Sequence, residues 1–226
     1  MPIYSLPPQL IFPPVSHAEP DGLLAIGGDL SPDRLILAYQ SGIFPWFSPD
    51  EPILWWSPDP RFVMHVDDLN ISKSMKQVLR RQQFDIRFDT AFAQVIEACG
   101  RTPRPGQAGT WITEEMKQAY ITLHEKGLAH SAEAWLNGQL VGGLYGISMG
   151  GAFFGESMFA HVSNSSKAAF ITLVQWLKAR RVSLIDCQVH TEHLESLGAE
   201  EIDREEFIAW LQDELEKPTM QGKWEL

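Results

Sequence analysis

The pattern of apolar and polar positions is most informative in the second half of the chain, where it predicts an antiparallel meander. Residues 130–136 and 139–148 are typical of strands, and they flank Asn137-Gly138, the dipeptide that most strongly favours a two-residue hairpin turn. The second segment continues into LVGGLYGISMGGAFFGESM (residues 140–158), in which Gly150-Gly151 marks another turn. Three consecutive antiparallel strands are therefore expected.

One acidic residue stands at the predicted end of the third strand. Glu156 lies between Gly155 and Ser157, in otherwise apolar and small surroundings. A carboxylate is expensive to bury, and such groups persist where a cation pairs with them. For an isolated glutamate the simpler interpretation is a solvated acid just beyond the strand.

Helical periodicity and capping signals predict the other elements. Ser31-Pro32 begins a helix that ends at Gly42, and Gly100 is expected to close another. The segment RTPRPGQAGT is expected to be a loop, followed by Trp111 and then by a helix capped by Thr113. Further helices are predicted over residues 71–82, 90–100, 114–127, 162–181 and from 203 onward, and strands over residues 61–66, 84–89 and 182–190.

The N-terminal quarter has a different character. Residues 1–20 are punctuated by proline and should be extended, and residues 42–62 combine proline breaks with the aromatic side chains of Phe44, Trp46, Phe47, Trp55 and Trp56. These aromatic residues are either the core of a small domain or the rigid wall of a ligand pocket. We therefore predict an α+β protein with a small N-terminal domain, residues 1–60, and a larger one, residues 61–226.

Composition limits the class of protein. The 226 residues are 44% hydrophobic and 21% charged, which is ordinary for a globular chain. We find no run apolar enough to cross a bilayer and no N-terminal signal pattern, so no membrane partner is expected. The two cysteines, Cys99 and Cys187, favour a reducing cytoplasm, and neither has the neighbours of a zinc site, so no metal is expected.

Charge is distributed unevenly. The net charge of −11 argues at first against a nucleic-acid partner. The predicted helix over residues 71–82 nevertheless places Lys73, Lys76, Arg80 and Arg81 on one face. Such a cluster is usually a solvated helix face. The alternative is a patch that follows a phosphate backbone.

The predicted strand over residues 182–190 carries candidate chemistry. Alternation places Asp186 and Gln188 on one face and Ile185, Cys187 and Val189 on the other. Cys187 is therefore expected to be a small core residue rather than a nucleophile. A serine hydrolase is equally unsupported, because the chain lacks a GxSxG elbow.

The order of elements is that of the GNAT-like acyltransferases, which usually take acetyl-coenzyme A: a mostly antiparallel central sheet flanked by helices. Those enzymes hold the pyrophosphate of the donor on a glycine-containing loop at a helix N-terminus. Here the corresponding junction is AHVSNSSKAAF, which contains no glycine. We expect the fold without the coenzyme A loop, and no cofactor.

Several motifs together resemble one bacterial family. GIFPWFSP, PILWWSPDPRF, GTWIT, GLYGISMGGAFFGESMF and LIDCQV are similar to segments of the leucyl/phenylalanyl-tRNA–protein transferases, and the similarity extends from DGLLAIGGDLSP to SLGAEEI. The resemblance implies transfer of Leu or Phe, and in some cases Met, from aminoacyl-tRNA to proteins with N-terminal Arg or Lys. The product would be marked for degradation as an N-degron, and a cytoplasmic monomer is expected.

The resemblance also implies roles for individual residues. Asp186 and Gln188 match the catalytic pair, and Glu156 matches the acid that binds the acceptor. The residues expected around the terminal adenosine and its aminoacyl group are Trp46, Trp111, Leu144, Phe153, Phe170 and Leu173. The first two are aromatic walls, where stacking tolerates any base. The other four form the apolar pocket for the Leu or Phe side chain.

The aminoacyl ester is already activated, so such an enzyme mainly has to align an amine with it. An amide is not basic near neutral pH. Gln188 is therefore expected to hydrogen-bond the attacking amine or the oxyanion, with Asp186 fixing its orientation. The alternative is a non-catalytic module that binds basic peptide N-termini through Glu156 and the aromatic wall.

Overall fold

The computed structural model describes residues 3–102 and 111–226, which form two β-sheets and the helices that cover them. The strands are β1 Tyr4–Leu6, β2 Leu23–Gly27, β3 Phe44–Pro45, β4 Leu54–Trp56, β5 Arg61–His65, β6 Asp85–Phe88, β7 Ala129–Leu136, β8 Gln139–Met149, β9 Ala152–Ala160, β10 Leu184–Gln188 and β11 Glu200–Ile202. The α-helices are α1 Pro32–Gln40, α2 Lys73–Arg80, α3 Phe92–Arg101, α4 Glu114–Glu125, α5 Ser165–Lys178, α6 Glu192–Glu195 and α7 Arg204–Leu215, and Val15–His17 and Val66–Asp68 are short 3-10 helices.

The large sheet has seven strands in the order β11-β5-β10-β9-β8-β7-β6. Its neighbours are antiparallel except for β9 and β10, which are parallel. The predicted meander is confirmed as β7, β8 and β9. Asn137 and Gly138 adopt φ values of 51° and 76°, as a type I′ hairpin turn requires, and Gly150 joins the next pair with a φ of 55°.

The small sheet has the order β1-β2-β4-β3 and lies in the N-terminal part. Arg34 of α1 ties the extended N-terminal segment to it. The buried guanidinium donates hydrogen bonds to the carbonyl oxygens of Pro7, Pro8 and Gln9 and to the carboxylate of Asp29. The segment predicted to be extended is thus held by the pairing of β1 with β2 and, just after β1, by a buried cation.

Two apolar cores lie on opposite faces of the large sheet. The first contains side chains of α1, α3, α4 and α7 and continues without a break into the small sheet through Leu24, Phe44 and Trp55. The second lies under α5, which α2 covers from outside. Burial of this apolar area, worth roughly 25 cal/mol per Å², joins the N-terminal part to the rest of the chain.

The C-terminal segment is anchored in the second core. Trp224 is buried, and its ring stacks on that of His130 with 3.6 Å between the ring centres. Its backbone N–H donates to Oδ2 of Asp89, which also contacts Nδ1 of His130, both at 2.8 Å. The last residues of the chain therefore contribute to the core of the larger sheet.

Several element boundaries differ from the sequence prediction. Gly100 lies inside α3, which ends at Arg101, because it keeps a helical conformation and does not adopt a positive φ. Helix α2 spans eight residues, shorter than predicted, because Ser72 caps it by accepting a hydrogen bond from Met75 N–H. The predicted loop lies, from residue 103 to 110, outside the described residues. Strand β11 and helix α6 are too short to produce a periodic pattern and were not predicted.

Among the helices of the described ranges, none combines the length and apolar character that a membrane crossing needs.

Candidate active site

A cleft of about 680 Å³ opens where the N-terminal part meets the centre of the large sheet. Trp46 and Trp111 stand on its wall, one just after β3 and the other before α4. Its apolar interior includes Leu144 of β8 and Phe170 of α5, and Glu156 and Gln188 supply polar groups. Six of the residues predicted from sequence therefore lie on one concave surface.

Three other predicted residues do not line the cleft. Phe153 and Leu173 are buried in the second apolar core, where they pack in the same cluster as Leu144 and Phe170. Asp186 is fully buried behind Gln188. Their influence on anything bound in the cleft must pass through the side chains in front of them.

Trp46 is held at the rim by the pairing of β3 with β4. Its backbone N–H donates to the carbonyl of Leu54, and its carbonyl accepts a 2.6 Å hydrogen bond from the indole of Trp56. The side chain itself remains 36% exposed, which is unusual for an indole. A fixed aromatic face is thus available for contact with a ligand.

Glu156 lies within β9, which continues beyond its predicted end, so the simpler interpretation as a solvated acid past the strand is wrong. It is the extra residue of a β-bulge, since Tyr145 pairs with Ser157 and Gly146 with Gly155. A bulge re-aims the side chain of its extra residue. Glu156 is only 9% exposed, and its carboxyl group lies between the cleft and the tyrosines of the first apolar core.

Three neutral donors surround this carboxyl group. Tyr39 of α1 and Tyr120 of α4 donate to Oε1 and Oε2 at 2.7 and 2.8 Å, and Nε2 of Gln188 donates to Oε1 at 2.8 Å. In the described part of the chain it forms no ion pair with Lys or Arg, unlike the pairing expected for a buried acid. Burial therefore dominates and raises the pKa of Glu156 from 4.5 to about 7, although the three hydrogen bonds lower it.

A buried ion pair stands behind the cleft. Nε and Nη2 of Arg61 contact the two carboxylate oxygens of Asp186 at 2.8 and 2.7 Å. The guanidinium also donates to the carbonyl of Gly42 and lies over the rings of Phe44 and Phe207. Arg61 thus supplies the counter-charge that a fully buried carboxylate needs.

Asp186 holds the backbone of Gln188 in an uncommon conformation. Gln188 has a φ of 65° at a register shift of β10, and its N–H donates to Oδ1 of Asp186 at 2.9 Å. A positive φ is costly for a residue with a side chain and persists where its surroundings impose it. The contacts from Arg61 to Asp186 and from Asp186 to the backbone of Gln188 therefore set the position from which the Gln188 amide reaches Glu156.

Two family models match the chain. The model described as leucyl/phenylalanyl-tRNA protein transferase matches residues 63–212, and that of the N-terminal domain of the same family matches residues 28–59. The chain belongs to this family.

Curated relatives agree over nearly the whole length. The leucyl/phenylalanyl-tRNA–protein transferase of Syntrophus aciditrophicus is 57% identical over 224 residues, 99% of this chain and 94% of the relative. That of Anaeromyxobacter dehalogenans (strain 2CP-C) is 54% identical over 226 residues, 100% and 97% of the two chains. That of Myxococcus xanthus is 53% identical over 227 residues, 99% and 97%. The chain is thus an aminoacyltransferase of this family, with aminoacyl-tRNA as donor and protein as acceptor.

Among solved structures, L-PGS from Bacillus licheniformis aligns with a TM-score of 0.41 at 14% identity, over 72% of this chain and 54% of that one. So low a score is no basis for assigning a fold.

Cys187 is the predicted small core residue of this transferase, and it also borders the cleft. It is buried with Ile185 in the second apolar core, as alternation predicts, and both side chains also reach the cleft. Burial, with a smaller effect of the Asp186 charge, raises the pKa of the thiol far above its usual range. A thiolate nucleophile at this position is therefore disfavoured.

Sequence reasoning missed three residues of the transferase site. Tyr39 and Tyr120 lie on apolar helix faces, where a tyrosine is usually a core residue, so no local signal marks them. Arg61 could have been found, because an arginine beginning the otherwise apolar strand RFVMH needs a partner if it is buried.

Within the two described ranges, no cluster of three or more His, Cys, Asp or Glu side chains is arranged to bind a metal ion.

Proposed function

We propose that this cleft transfers Leu or Phe from aminoacyl-tRNA to the α-amine of proteins that begin with Arg or Lys, with Met as a third donor amino acid. The observation that supports it is the hydrogen-bonded pair of Glu156 and Gln188, which lies in an apolar cleft beside two tryptophans. An amine and an activated ester can meet there with little competing water.

The donor end binds along the aromatic wall. Trp46 and Trp111 flank the terminal adenosine, because stacking on an indole requires no particular base edge. Leu144 and Phe170 contact the Leu or Phe side chain, and Phe153 and Leu173 set the depth of this pocket from behind. A close-packed second layer transmits changes of volume to the layer in front.

Gln188 acts by position. Its Nε2 is engaged by Glu156, and the amide oxygen is the group left to accept a hydrogen bond from the attacking amine. Asp186 and Arg61 fix the backbone beneath it. Holding the two reactants in line can supply roughly 7–11 kcal/mol of the barrier reduction.

Glu156 recognises the acceptor. The basic side chain of an N-terminal Arg or Lys brings the cation that this buried carboxyl group lacks. Charge-assisted hydrogen bonds of that kind are about twice as strong as neutral ones.

The body of the tRNA contacts Lys73, Lys76, Arg80 and Arg81. All four are exposed on α2 and the residue after it. Their charge is local, which reconciles a phosphate-binding patch with a net charge of −11.

At the level of the chain, we assign residues 1–60 to the N-terminal domain and residues 61–226 to a GNAT-like catalytic domain without a coenzyme A loop. The protein works as a cytoplasmic monomer without cofactor or metal. Its products begin with Leu or Phe and are directed to degradation as N-degrons.

The test is a transfer assay with Leu-tRNA or Phe-tRNA and peptides that differ only in an N-terminal Arg, Lys or Ala. Mass spectrometry should show one added residue on the Arg and Lys peptides. Transfer to the Ala peptide would contradict the acceptor assignment. Peptide binding without any mass change would favour a non-catalytic binding module.

Two variants test whether the amide of Gln188 or the thiol of Cys187 contributes to the rate. Gln188→Ala should lower the rate, whereas Cys187→Ser should keep most of it. The reverse order would support a thiol mechanism.

A further inference from the structure

Glu156, Tyr39 and Tyr120 form a closed triangle of oxygen atoms. The two phenol oxygens are 2.5 Å apart, and they lie 2.7 and 2.8 Å from the two carboxyl oxygens. All three residues are buried. We call this group the proton triad. Each of its three sides is short enough to require a hydrogen between the oxygens.

The number of protons decides the state of the triad. Each phenol has one hydrogen, so the two tyrosines can serve only two of the three sides. Burial and the nearby Glu156 raise the pKa of both phenols well above the usual range, so both keep their hydrogens. The third hydrogen therefore belongs to the carboxyl group.

One arrangement satisfies every group. In the acid form Tyr39 donates to Oε1, Tyr120 turns its hydrogen from Oε2, to which it donates when Glu156 is ionised, toward Tyr39, and the protonated Oε2 donates to Tyr120. Oε1 can still accept the hydrogen bond from Nε2 of Gln188. The closed triangle is thus the geometry of a neutral carboxylic acid, and an ionised Glu156 would leave the contact between the phenols without a hydrogen.

We propose that the proton triad is the proton acceptor of the reaction: ionised Glu156 takes a proton from the α-ammonium group of the acceptor protein and holds it on Oε2, against the hydroxyl group of Tyr120. This inference rests on the function proposed above. It assigns catalytic roles to Tyr39 and Tyr120 and gives Glu156 a role beyond recognition.

The surroundings suit a proton that moves in both directions. The groups facing Glu156 are Tyr39 from α1, Tyr120 from α4 and the pair Asp186 and Gln188 from β10. Tyr145 from β8 lies beside the two phenols, and Arg61 compensates the charge of Asp186. Burial brings the pKa of Glu156 to about 7. An α-amino group has a pKa of about 7.7–8.0, so the two groups exchange a proton at little cost.

The three hydrogens of the ammonium group are all accounted for. One passes to Glu156, which leaves a neutral amine. The nitrogen lone pair forms a bond to the ester carbonyl carbon, and the bond from that carbon to the ribose oxygen breaks. A second hydrogen moves from nitrogen to the departing ribose oxygen, and the third remains on the new amide. Glu156 then loses its proton to solvent before the next turnover.

Infrared difference spectra of the free protein test the triad without any activity. Ordinary carboxyl groups are ionised above about pH 5.5, so a remaining acid carbonyl band isolates Glu156. We expect this band in the native protein, with a midpoint near 7, and not in Glu156→Gln. No such band between pH 5.5 and 8.5 would overturn the inference.

The two tyrosines give the catalytic test. Tyr39→Phe and Tyr120→Phe each remove a donor from ionised Glu156, so the infrared midpoint should rise by roughly one pH unit. The acidic limb of the profile of kcat/KM for an Arg peptide should rise with it. Tyr4→Phe, which removes a 2.7 Å phenol contact with His17 outside the cleft, should change neither.

The outcomes distinguish the two proposals. Transfer with an acidic limb that does not move in either tyrosine variant overturns the inference alone. A titrating band with no transfer from Leu-tRNA or Phe-tRNA at any pH overturns the proposed function, and with it the role given to this proton.

Discussion

At the scale of single residues, the site contains two buried acids in opposite situations. Asp186 has a guanidinium against both oxygens, whereas Glu156 has only neutral donors. The guanidinium compensates the buried charge of Asp186, whereas burial among neutral groups favours the acid form of Glu156. The charge of Asp186 therefore lies beneath Gln188, and the carboxyl group of Glu156, which can gain or lose a proton, lies beside it.

Removing the guanidinium should expose the cost of that fixed charge. Arg61→Met leaves Asp186 buried without a counter-charge, so the free energy of unfolding should fall by about 3–5 kcal/mol. Urea denaturation measures it. Arg87→Met, which breaks the exposed pair with Asp85, should cost only about 0–1 kcal/mol. Equal losses in the two variants would contradict this interpretation, and adding Asp186→Asn to Arg61→Met should restore part of the stability.

Glu156 should make stability depend on pH with a definite sign. Its pKa is higher in the folded protein, about 7, than the unfolded value of 4.5, so the folded state binds more protons between these values. Its contribution is complete below about pH 4.5 and falls by roughly 3 kcal/mol as the pH rises to 7. Glu156→Gln does not ionise. The stability of the native protein relative to this variant should therefore decrease from pH 5 to pH 7.5, and a constant difference in urea denaturation would contradict the assignment.

At the scale of elements, local sequence signals predicted the turns and helix caps, because these depend on residues that are neighbours in the chain. The Asn137-Gly138 turn fixes the meander, and Thr113 caps α4 by accepting a hydrogen bond from Met116 N–H. The bulge at Glu156 and the irregular end of β10 were not predicted, because each depends on the register with a partner strand, which is β8 in the same hairpin for the first and the distant β5 for the second. Likewise Tyr39 and Tyr120, 81 residues apart, could not be assigned to one site.

The start of α3 shows how a distant strand can replace a local cap. Ala91 at the N-cap has no side chain to offer, and the buried Glu133 of β7 accepts hydrogen bonds from the N–H groups of Thr90 and Ala91 instead. Glu133→Ala should therefore lower the free energy of unfolding by roughly 2–4 kcal/mol, because these donors lose their partner. Glu125→Ala, on the exposed end of α4, should change it by less than about 0.5 kcal/mol. Thermal or urea denaturation of the pair tests the difference.

Helix α2 should govern the salt dependence of tRNA binding. Neutralising Lys73, Lys76 and Arg80 together should weaken binding at low salt and reduce the slope of log K against log salt by about one for each phosphate that is no longer neutralised. Filter binding between low and moderate salt measures the slope. Neutralising Lys126 and Lys223, which lie outside the cleft beside the C-terminal segment, is the control. An equal loss of tRNA binding in both sets of variants would indicate that net charge, and not the α2 patch, governs binding.

At the scale of the whole molecule, the N-terminal part and the large sheet complete one site between them. Tyr39 and Trp46 come from the first, and Glu156, Gln188 and Phe170 from the second. The first apolar core is continuous across both. The resemblance to the family suggested the individual site residues. That both parts of the chain contribute walls to one cleft follows only from the tertiary packing.

A chain restricted to residues 61–226 should consequently not form a stable transferase. It lacks the helix that supplies Tyr39, and the ring of Phe44 no longer covers Arg61. We expect aggregation, or a molecule that binds apolar dyes, in gel filtration and dye fluorescence. Recovery of a soluble, compact fragment with native circular dichroism would show that the larger part folds alone.

The bulge at Glu156 also limits which insertions and deletions the coding sequence of β8 and β9 can tolerate. Because β9 has one more residue than its partner between Tyr145 and Ser157, losing a single codon there would restore a regular ladder and remove the acid or its orientation. Gaining a codon on β8 would have a similar effect, since the two strands would then match. Point substitutions leave the count unchanged. Across the β8–β9 hairpin the transferase should thus tolerate amino-acid substitutions far more readily than insertions or deletions.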